Sequence, residues 1–226
     1  MAVAAHLDLP YERQAHSTHM CGAAALCMVY RSFGMTCSQD EIWPAIAAPP
    51  TSGRSRALTH LLCAEAVRRG LAAMTLQVRD ALGLLYAAFE QDVRVIVHHR
   101  QSLNAWWGHY SVLVGMDEEN IALHDPWLGP ARCLDHAAWL KLWRPGRDNR
   151  EVRGNLAVLI AQGKAELLHC RVCQRRLPQK FPCPQCRKEI PLRPGVMLGC
   201  VDSHCPARTW DRLFCPWCDA ELDRVE

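Results

Sequence analysis

The cysteines near the C-terminus constrain the fold of this chain more than any other feature of its sequence. Eight of the 13 cysteines fall within the last 57 of the 226 residues. They form two units with matching spacing: Cys170-x2-Cys173-x9-Cys183-x2-Cys186 and Cys200-x4-Cys205-x9-Cys215-x2-Cys218. A short knuckle with two residues between its cysteines presents both sulfurs to one metal ion, and two knuckles complete a tetrahedral site. The pattern therefore predicts two closed, structural metal sites.

The ligand type and the spacing favour zinc in both sites. Four thiolates are typical of structural Zn²⁺, and the repeated Cys-Pro-x-Cys ends resemble a duplicated zinc ribbon. The duplication predicts one ion in each unit, with a cross-braced pairing of alternate knuckles as the alternative. His204 is an alternative ligand to Cys205. Disulfides and an iron–sulfur cluster are disfavoured, because the chain has no export signal and the spacings differ from those of clusters.

Length and composition indicate a folded chain of one or two domains. Half of the residues are apolar and 22% are charged, which excludes a disordered or fibrous protein. The first 165 residues suffice for one ordinary domain, whereas the remaining segment buries too little core to fold without metal. We therefore predict a first domain over residues 1–165 and a tandem zinc ribbon over residues 166–226.

The charge balance argues against nucleic acid as a partner. The formal net charge is +3, and residues 166–226 carry 10 Lys and Arg against 8 Asp and Glu. Two zinc ions on eight thiolates would lower the charge of this segment by four, whereas nucleic-acid-binding modules show a basic excess. The sequence has no apolar run of about 18 residues and no secretory signal. We expect no membrane segment and a cytoplasmic location, with signal-independent export as the alternative.

The order of helix and strand patterns predicts an α+β fold for the first domain. Residues 22–33 are mostly small and apolar, which predicts a buried helix that ends at Gly34. Strand patterns cover residues 108–115 and 121–124, which we expect to form a hairpin, and residues 125–130 are predicted as a loop. Because helices come first and closely connected strands follow, we predict a mostly antiparallel sheet.

Three residues of this first domain are suitably placed for thiol chemistry. Cys21 precedes the predicted helix, where the positive end of the helix dipole stabilises a thiolate, the nucleophilic form. His109 begins one strand of the hairpin and Asp125 follows the other, so a tight turn brings these side chains together. A nucleophilic cysteine needs a base, and the base needs an orienting group. Cys21, His109 and Asp125 supply the three groups in that order.

These segments resemble the papain-like cysteine peptidases. Cys21 before a small-residue helix, His109 at the start of a strand and Asp125-Pro126 after the next strand are most similar to the double-glycine leader (bacteriocin-processing) peptidases. The similarity covers about residues 8–160. It implies a papain-like domain in which Cys21 is the nucleophile, His109 the general base and acid, and Asp125 the residue that holds the imidazole.

The same resemblance implies a glutamine that helps to bind the oxyanion. In the family this glutamine lies about six residues before the cysteine. Gln14 is the only glutamine upstream of Cys21 and lies seven residues ahead of it. Gln14 is therefore the candidate, with one extra residue to be accommodated, and the backbone N–H of Cys21 is the other candidate donor.

Other residues compete for these roles. The alternative bases are His16, His19, His98, His99 and His124. Cys27 and Cys63 have the pattern of ordinary core thiols, which is also the alternative for Cys21. Trp106 and Trp107 are expected in the core or in the wall of a cleft, or as the lining of a substrate subsite.

The sequence thus predicts a cysteine peptidase that acts on a peptide or protein. In this hypothesis the zinc ribbons bind the substrate or a protein partner. A papain-like transferase or deamidase is an alternative that keeps the same thiol chemistry. A non-catalytic adaptor, with zinc ribbons carried on a papain-like scaffold, is the alternative from a different functional class.

Overall fold

The computed structural model of the chain describes residues 5–15, 19–48, 55–105, 107–144, 152–163 and 169–223. The helices are α1 (Cys21–Ser32), α2 (Gln39–Ile46), α3 (Thr59–Arg68), α4 (Ala81–Glu90), α5 (His136–Trp143) and α6 (Arg193–Leu198). The strands are β1 (Ala5–His6), β2 (Ala72–Val78), β3 (Arg94–Arg100), β4 (Gly108–Met116), β5 (Asn120–Asp125), β6 (Gly129–Asp135), β7 (Leu156–Ala161), β8 (Lys180–Pro182), β9 (Glu189–Pro191), β10 (Trp210–Phe214) and β11 (Glu221–Leu222).

Nine of these strands form one antiparallel sheet. Eight of them lie in the order β11-β10-β2-β7-β3-β4-β5-β6, and β1 pairs with β4. Successive side chains of a strand point to opposite faces, so Ile96 packs with α1, α2 and α3 while Val95 and Val97 pack with α4 and α5. The predicted α+β class with an antiparallel sheet is confirmed. Among the described residues, no helix has the length and apolar character needed to cross a membrane.

Helix α1 lies deep in the protein because its side chains are small. All residues from Cys21 to Tyr30 are buried. A Cβ added to Gly22 would lie only 2.9 Å from the Cβ of Ala57, so this glycine allows a close approach to the turn before α3. The helix begins at Cys21 itself, which places the cysteine at the positive end of the helix dipole.

The predicted hairpin is present, and the loop predicted after it is shorter than expected. β4 and β5 are antiparallel, with Val112 opposite His124. The loop prediction over residues 125–130 is wrong at its end, because β6 already begins at Gly129 and pairs with β5. Pro130 and the positive φ of Ala131 conceal this strand from a pattern-based prediction.

The cysteine-rich segment is joined to the first domain by backbone hydrogen bonds. β10 pairs with β2, and Leu213 lies opposite Leu76. Trp210 and Leu213 belong to the same buried cluster as Leu84 of α4. The division between residues 165 and 166 lies outside the described residues and stays a prediction, but the two parts share one sheet and one core.

Because the two parts of the chain share one core, a cavity made in the cysteine-rich segment should destabilise the whole protein. Leu213 is fully buried, so Leu213→Ala should lower the free energy of unfolding by about 2–5 kcal/mol. The neighbouring Arg212→Ala removes only an exposed ion pair with Glu221 and should cost less than about 1 kcal/mol. Denaturant unfolding of the full chain measures both values, and equal costs would contradict a shared core.

Candidate active site and metal sites

The β4–β5 hairpin brings His109 and Asp125 into direct contact. Nε2 of His109 donates a hydrogen bond of 2.7 Å to Oδ1 of Asp125. Both residues are buried, with exposed fractions of 4% and 1%. The contact follows from the register, because the pairing of Val112 with His124 places Asp125 on the same face of the sheet as Ser111 and His109.

The Asp125 carboxylate is held by several donors. Its Oδ1 also accepts hydrogen bonds from the backbone N–H groups of Trp127 and Leu128, at 2.9 and 3.0 Å. Arg132 lies 3.4 Å from Oδ2. Burial alone would raise the pKa of Asp125, but the hydrogen bond and charge of His109 and the two backbone donors hold it well below its usual range. The residue is therefore an anion fixed in one orientation.

Cys21 interacts with the same imidazole. The cysteine is 8% exposed at the start of α1. Burial would lower the pKa of His109, but hydrogen bonds with Asp125 and Cys21, together with their charges, raise it to about 10. The structure thus brings Cys21, His109 and Asp125 together in the order that the sequence predicts.

Gln14 is placed by its backbone beside the Asp125 turn. Its N–H donates a hydrogen bond of 3.0 Å to the carbonyl oxygen of Pro126. The residues on both sides of Gln14 are bound by the side chain of Gln39 in α2. The sequence contains no local signal that identifies Gln39, because its contacts span 24 or more residues of the chain.

Two of the competing histidines, His99 and His124, have structural partners. His124 accepts a hydrogen bond from the N–H of Ala131 on Nδ1 and therefore donates from Nε2 to the carbonyl oxygen of Leu9. His99 donates from Nδ1 to a backbone carbonyl, so its Nε2 accepts from Ser111. Burial and the charge of His109 lower the pKa of His99 to about 3. This imidazole is neutral and lies edge-on to His109, with ring centroids 5.5 Å apart.

Two other histidine alternatives differ in what the structure shows. His98 is stacked on Tyr110, and burial together with the charge of His109 lowers its pKa to about 4. Because His98 and Tyr110 point to the sheet face opposite His109, His98 is not a second base at this site. His16 lies outside the described residues.

Large apolar side chains are exposed near the His109–Asp125 pair in sequence. Trp107 is 47% exposed and precedes His109 by two residues, and Trp127 and Leu128, at 41% and 52%, follow Asp125. Trp106, the other predicted wall residue, lies outside the described residues. Isolated apolar residues on a surface are common, but several together are typical of a binding surface.

The eight C-terminal cysteines form two groups of four, and the predicted grouping is wrong. One group contains Cys170, Cys173, Cys200 and Cys205, and the other contains Cys183, Cys186, Cys215 and Cys218. Cys170 and Cys173, the first knuckle of the first unit, therefore share a group with Cys200 and Cys205, the first knuckle of the second unit. The second knuckles of the two units form the other group. The predicted one-ion-per-unit arrangement is thus replaced by the cross-braced alternative.

The sulfur positions fit a tetrahedral metal site. A metal–sulfur distance of about 2.3 Å places the ligands of a tetrahedron about 3.8 Å apart. The sulfur–sulfur distances are 3.8 Å for Cys170–Cys205 and 3.6 Å for Cys173–Cys200. In the second group, Cys183–Cys218 and Cys186–Cys215 are both 3.7 Å apart. These distances exceed the length of a disulfide bond, about 2.05 Å.

The first group also resolves the question of His204. Its side chain is 95% exposed and interacts with Asp202, whereas the buried Cys205 completes the group of four. Backbone N–H groups of Val172 and Asp202 donate to the sulfurs of Cys170 and Cys200, both at 3.4 Å. Such donors stabilise thiolates, which are the form that binds a metal.

Sequence comparison assigns the chain to a family. The sequence model of the peptidase C39 family matches residues 8–144, more than half of the chain. The chain belongs to the peptidase C39 family. The predicted resemblance to double-glycine leader peptidases is therefore confirmed at the level of the family. An uncharacterized protein of Methanothermobacter thermautotrophicus is 29% identical over 114 residues, which cover 50% of this chain and 68% of that protein.

A solved structure of a C39-like peptidase shares the fold of this chain. A C39-like peptidase of Bacillus anthracis superposes with a TM-score of 0.57 and 13% identity, over 73% of this chain and all of that one. A double glycine motif protease from an AMS/PCAT transporter, solved with a leader peptide, gives a TM-score of 0.49 and 17% identity. That match covers 70% of this chain and 94% of the protease.

The contacts of His109 predict how its titration responds to substitution. Asp125→Asn removes the strongest contribution that raises the pKa of His109, so burial should lower it toward or below its ordinary value of about 6.5. Cys21→Ala should also lower it, because its hydrogen bond and charge raise the pKa of His109 as well. Imidazole NMR signals followed against pH measure both shifts. His99 is the internal control and should stay neutral above about pH 4. An unchanged His109 titration in Asp125→Asn would contradict the described contact.

The cross-braced grouping predicts the metal content of paired variants. Cys173→Ser with Cys200→Ser should abolish one site and leave about one metal ion per chain, because both residues belong to one group. The paired variant with Cys173→Ser and Cys215→Ser loses one ligand from each group and should bind no metal ion. Elemental analysis of the folded protein measures the ratio. If each cysteine unit instead bound its own ion, both paired variants would lose one ligand from each site and give the same metal ratio.

Proposed function

We propose that the protein is a cysteine peptidase that cleaves a peptide or protein chain with Cys21, His109 and Asp125. The single observation that carries the proposal is the buried imidazole of His109, which interacts with the Cys21 thiol and the Asp125 carboxylate. This arrangement has a nucleophile, a base and an orienting group in contact, as thiol hydrolysis requires. Membership of a peptidase family supports it.

The proposed reaction has two steps. The Cys21 thiolate attacks the scissile carbonyl carbon and forms a carbon–sulfur bond, and the charged His109 then gives its Nδ1 proton to the leaving amine. In the second step the neutral imidazole takes a proton from water, which attacks the acyl-enzyme and releases the thiolate. Asp125 holds the Nε2–H throughout and stabilises the imidazolium.

The negative oxygen that forms in each step needs hydrogen-bond donors. The backbone N–H of Cys21 points out of the start of α1 and is one donor. We assign the side-chain amide of Gln14 as the second donor. This assignment is supported by the hydrogen bond from Gln14 N–H to Pro126, which places the residue beside the Asp125 turn.

We further propose that both cysteine groups hold Zn²⁺. Four sulfur ligands at tetrahedral separations favour zinc and leave no open coordination position for catalysis. The ions would stabilise the segment that contributes β10 to the sheet. In this proposal the segment has a structural role, because it stabilises the sheet. Its second role, predicted from the sequence, is to bind a substrate or a protein partner.

The thiol chemistry is tested by selective alkylation. Iodoacetamide at pH 6 should label Cys21 faster than the other four cysteines of residues 1–165. Burial raises the pKa of Cys27 and raises that of Cys63 to about 12, so both should react slowly. Peptide mapping gives the labelling order. Equal labelling of all five cysteines would favour the non-catalytic scaffold.

The substrate and the role of Asp125 are tested together. Mass spectrometry of proteins cut by the wild type but not by Cys21→Ala identifies the substrate, and an acyl transfer or deamidation product would instead favour those alternatives. On that substrate Asp125→Asn should lower turnover by up to about 10⁴-fold. The double variant with His109→Ala and Asp125→Asn should have a turnover little below that of His109→Ala alone, because the two residues act as one unit.

A matched control lies at the other end of the same hairpin. Asp117 accepts hydrogen bonds from the backbone N–H groups of Glu119 and Asn120, and within the part of the chain that the structure describes its side-chain hydrogen bonds do not reach the candidate site. Asp117→Asn should therefore leave turnover nearly unchanged. If Asp125→Asn were as active as Asp117→Asn, the orienting group would have to be another residue.

A further inference from the structure

Gln39 is a buried side chain that binds the segment containing Gln14. Only 6% of Gln39 is exposed. Its Oε1 accepts a hydrogen bond from the N–H of Ala15 at 2.8 Å. Its Nε2 donates to Oε1 of Glu12 at 2.7 Å and to the carbonyl oxygen of Arg13 at 2.8 Å. One amide group thus makes three hydrogen bonds to the residues that flank Gln14.

Glu12 extends this network to the helix that begins with Cys21. Its carboxylate accepts from Gln39 on one oxygen and forms an ion pair with Arg31 on the other. Arg31 lies in the last turn of α1 and also donates to the carbonyl oxygen of Cys37 at 3.1 Å. The segment is therefore attached to α2 through the buried Gln39 and to α1 through Arg31, whose side chain is 40% exposed.

The same segment is attached on its other side to the Asp125 turn. Gln14 N–H donates to the carbonyl oxygen of Pro126 at 3.0 Å, and the Tyr11 hydroxyl donates to that of Asp125 at 3.1 Å. Gln39 thus fixes the chain before and after Gln14, while Gln14 itself bonds to the turn. The position of Gln14 relative to Cys21 depends on both sets of contacts.

We propose that Gln39 is a positioning residue that sets the place of the Gln14 oxyanion donor. The inference rests on the proposed function, because it assumes a thiol nucleophile and an oxyanion. A misplacement of about 1 Å can cost about 100-fold in rate, and a lost oxyanion donor about 10²–10³-fold. The hydrogen bonds of the Gln39 side chain go to Glu12, Arg13 and Ala15, which flank Gln14, so Gln39 acts on the reaction through Gln14 and not on the reacting atoms.

The test separates oxyanion binding from thiol reactivity. The probe is acetyl-Gly-Gly-aldehyde, whose carbonyl carbon bonds to the Cys21 sulfur while the carbonyl oxygen takes the place of the oxyanion. In Gln39→Met, affinity for this aldehyde should fall roughly 10- to 100-fold. Alkylation of Cys21 by iodoacetamide forms no oxyanion and should keep its wild-type rate. A purely structural role would lower both quantities together.

Exchanging the amide and the carboxylate between positions 39 and 12 tests whether restoring their contact restores aldehyde affinity. Gln39→Glu alone places two carboxylates side by side and should weaken aldehyde binding. With Glu12→Gln added, the new amide can donate to the carboxylate at position 39 and accept from Arg31, so aldehyde affinity should recover in part, while the hydrogen bond to the Arg13 carbonyl stays lost. Gln77→Met is the matched control, because it removes amide hydrogen bonds to Arg153 and Gly154 elsewhere on the sheet.

The outcomes distinguish this inference from the proposed function. A wild type that binds no aldehyde and shows no selective labelling of Cys21 would overturn both. A wild type that binds the aldehyde, with equal affinity in Gln39→Met, would overturn the positioning role alone. Absence of rescue in the paired variant would also overturn it, since the exchange restores the Gln39–Glu12 contact.

Discussion

The buried contact between His109 and Asp125 depends on the register of β4 and β5. With Val112 opposite His124, the two side chains lie on one face of the sheet and meet at 2.7 Å. A shift of one residue would turn one of them to the other face and leave a charge buried without its partner, at a large desolvation cost. The two backbone donors on Asp125 and the nearby Arg132 further compensate this charge.

The site combines groups from distant parts of the chain. Cys21 comes from the start of α1, and the N-terminal residues around Gln14 bridge this helix and the Asp125 turn. Burial strengthens each of these interactions because water is excluded from them. The same burial keeps His99 neutral beside His109, so two adjacent imidazoles occupy different protonation states.

The cysteine-rich segment is more closely integrated than a separate module would be. β10 continues the sheet at β2, and Leu213 lies in the core that α4 covers. Cross-bracing connects knuckles that are far apart in sequence, so metal ions bound to the two groups would together fix the whole segment rather than two independent halves. Metal binding is therefore expected to stabilise the sheet as well as the segment itself.

The sequence alone predicted the members of the candidate site and the eight clustered cysteines. Cysteine spacing identified all eight clustered thiols, and the hairpin pattern brought His109 and Asp125 together, because both are local consequences of chain geometry. The place of Cys21 beside them was implied by the family resemblance. Only the tertiary structure decided the cross-braced grouping, the pairing of β10 with β2 and the contacts of Gln39. These depend on which distant segments meet, and equal spacing within each cysteine unit is compatible with either grouping of the knuckles.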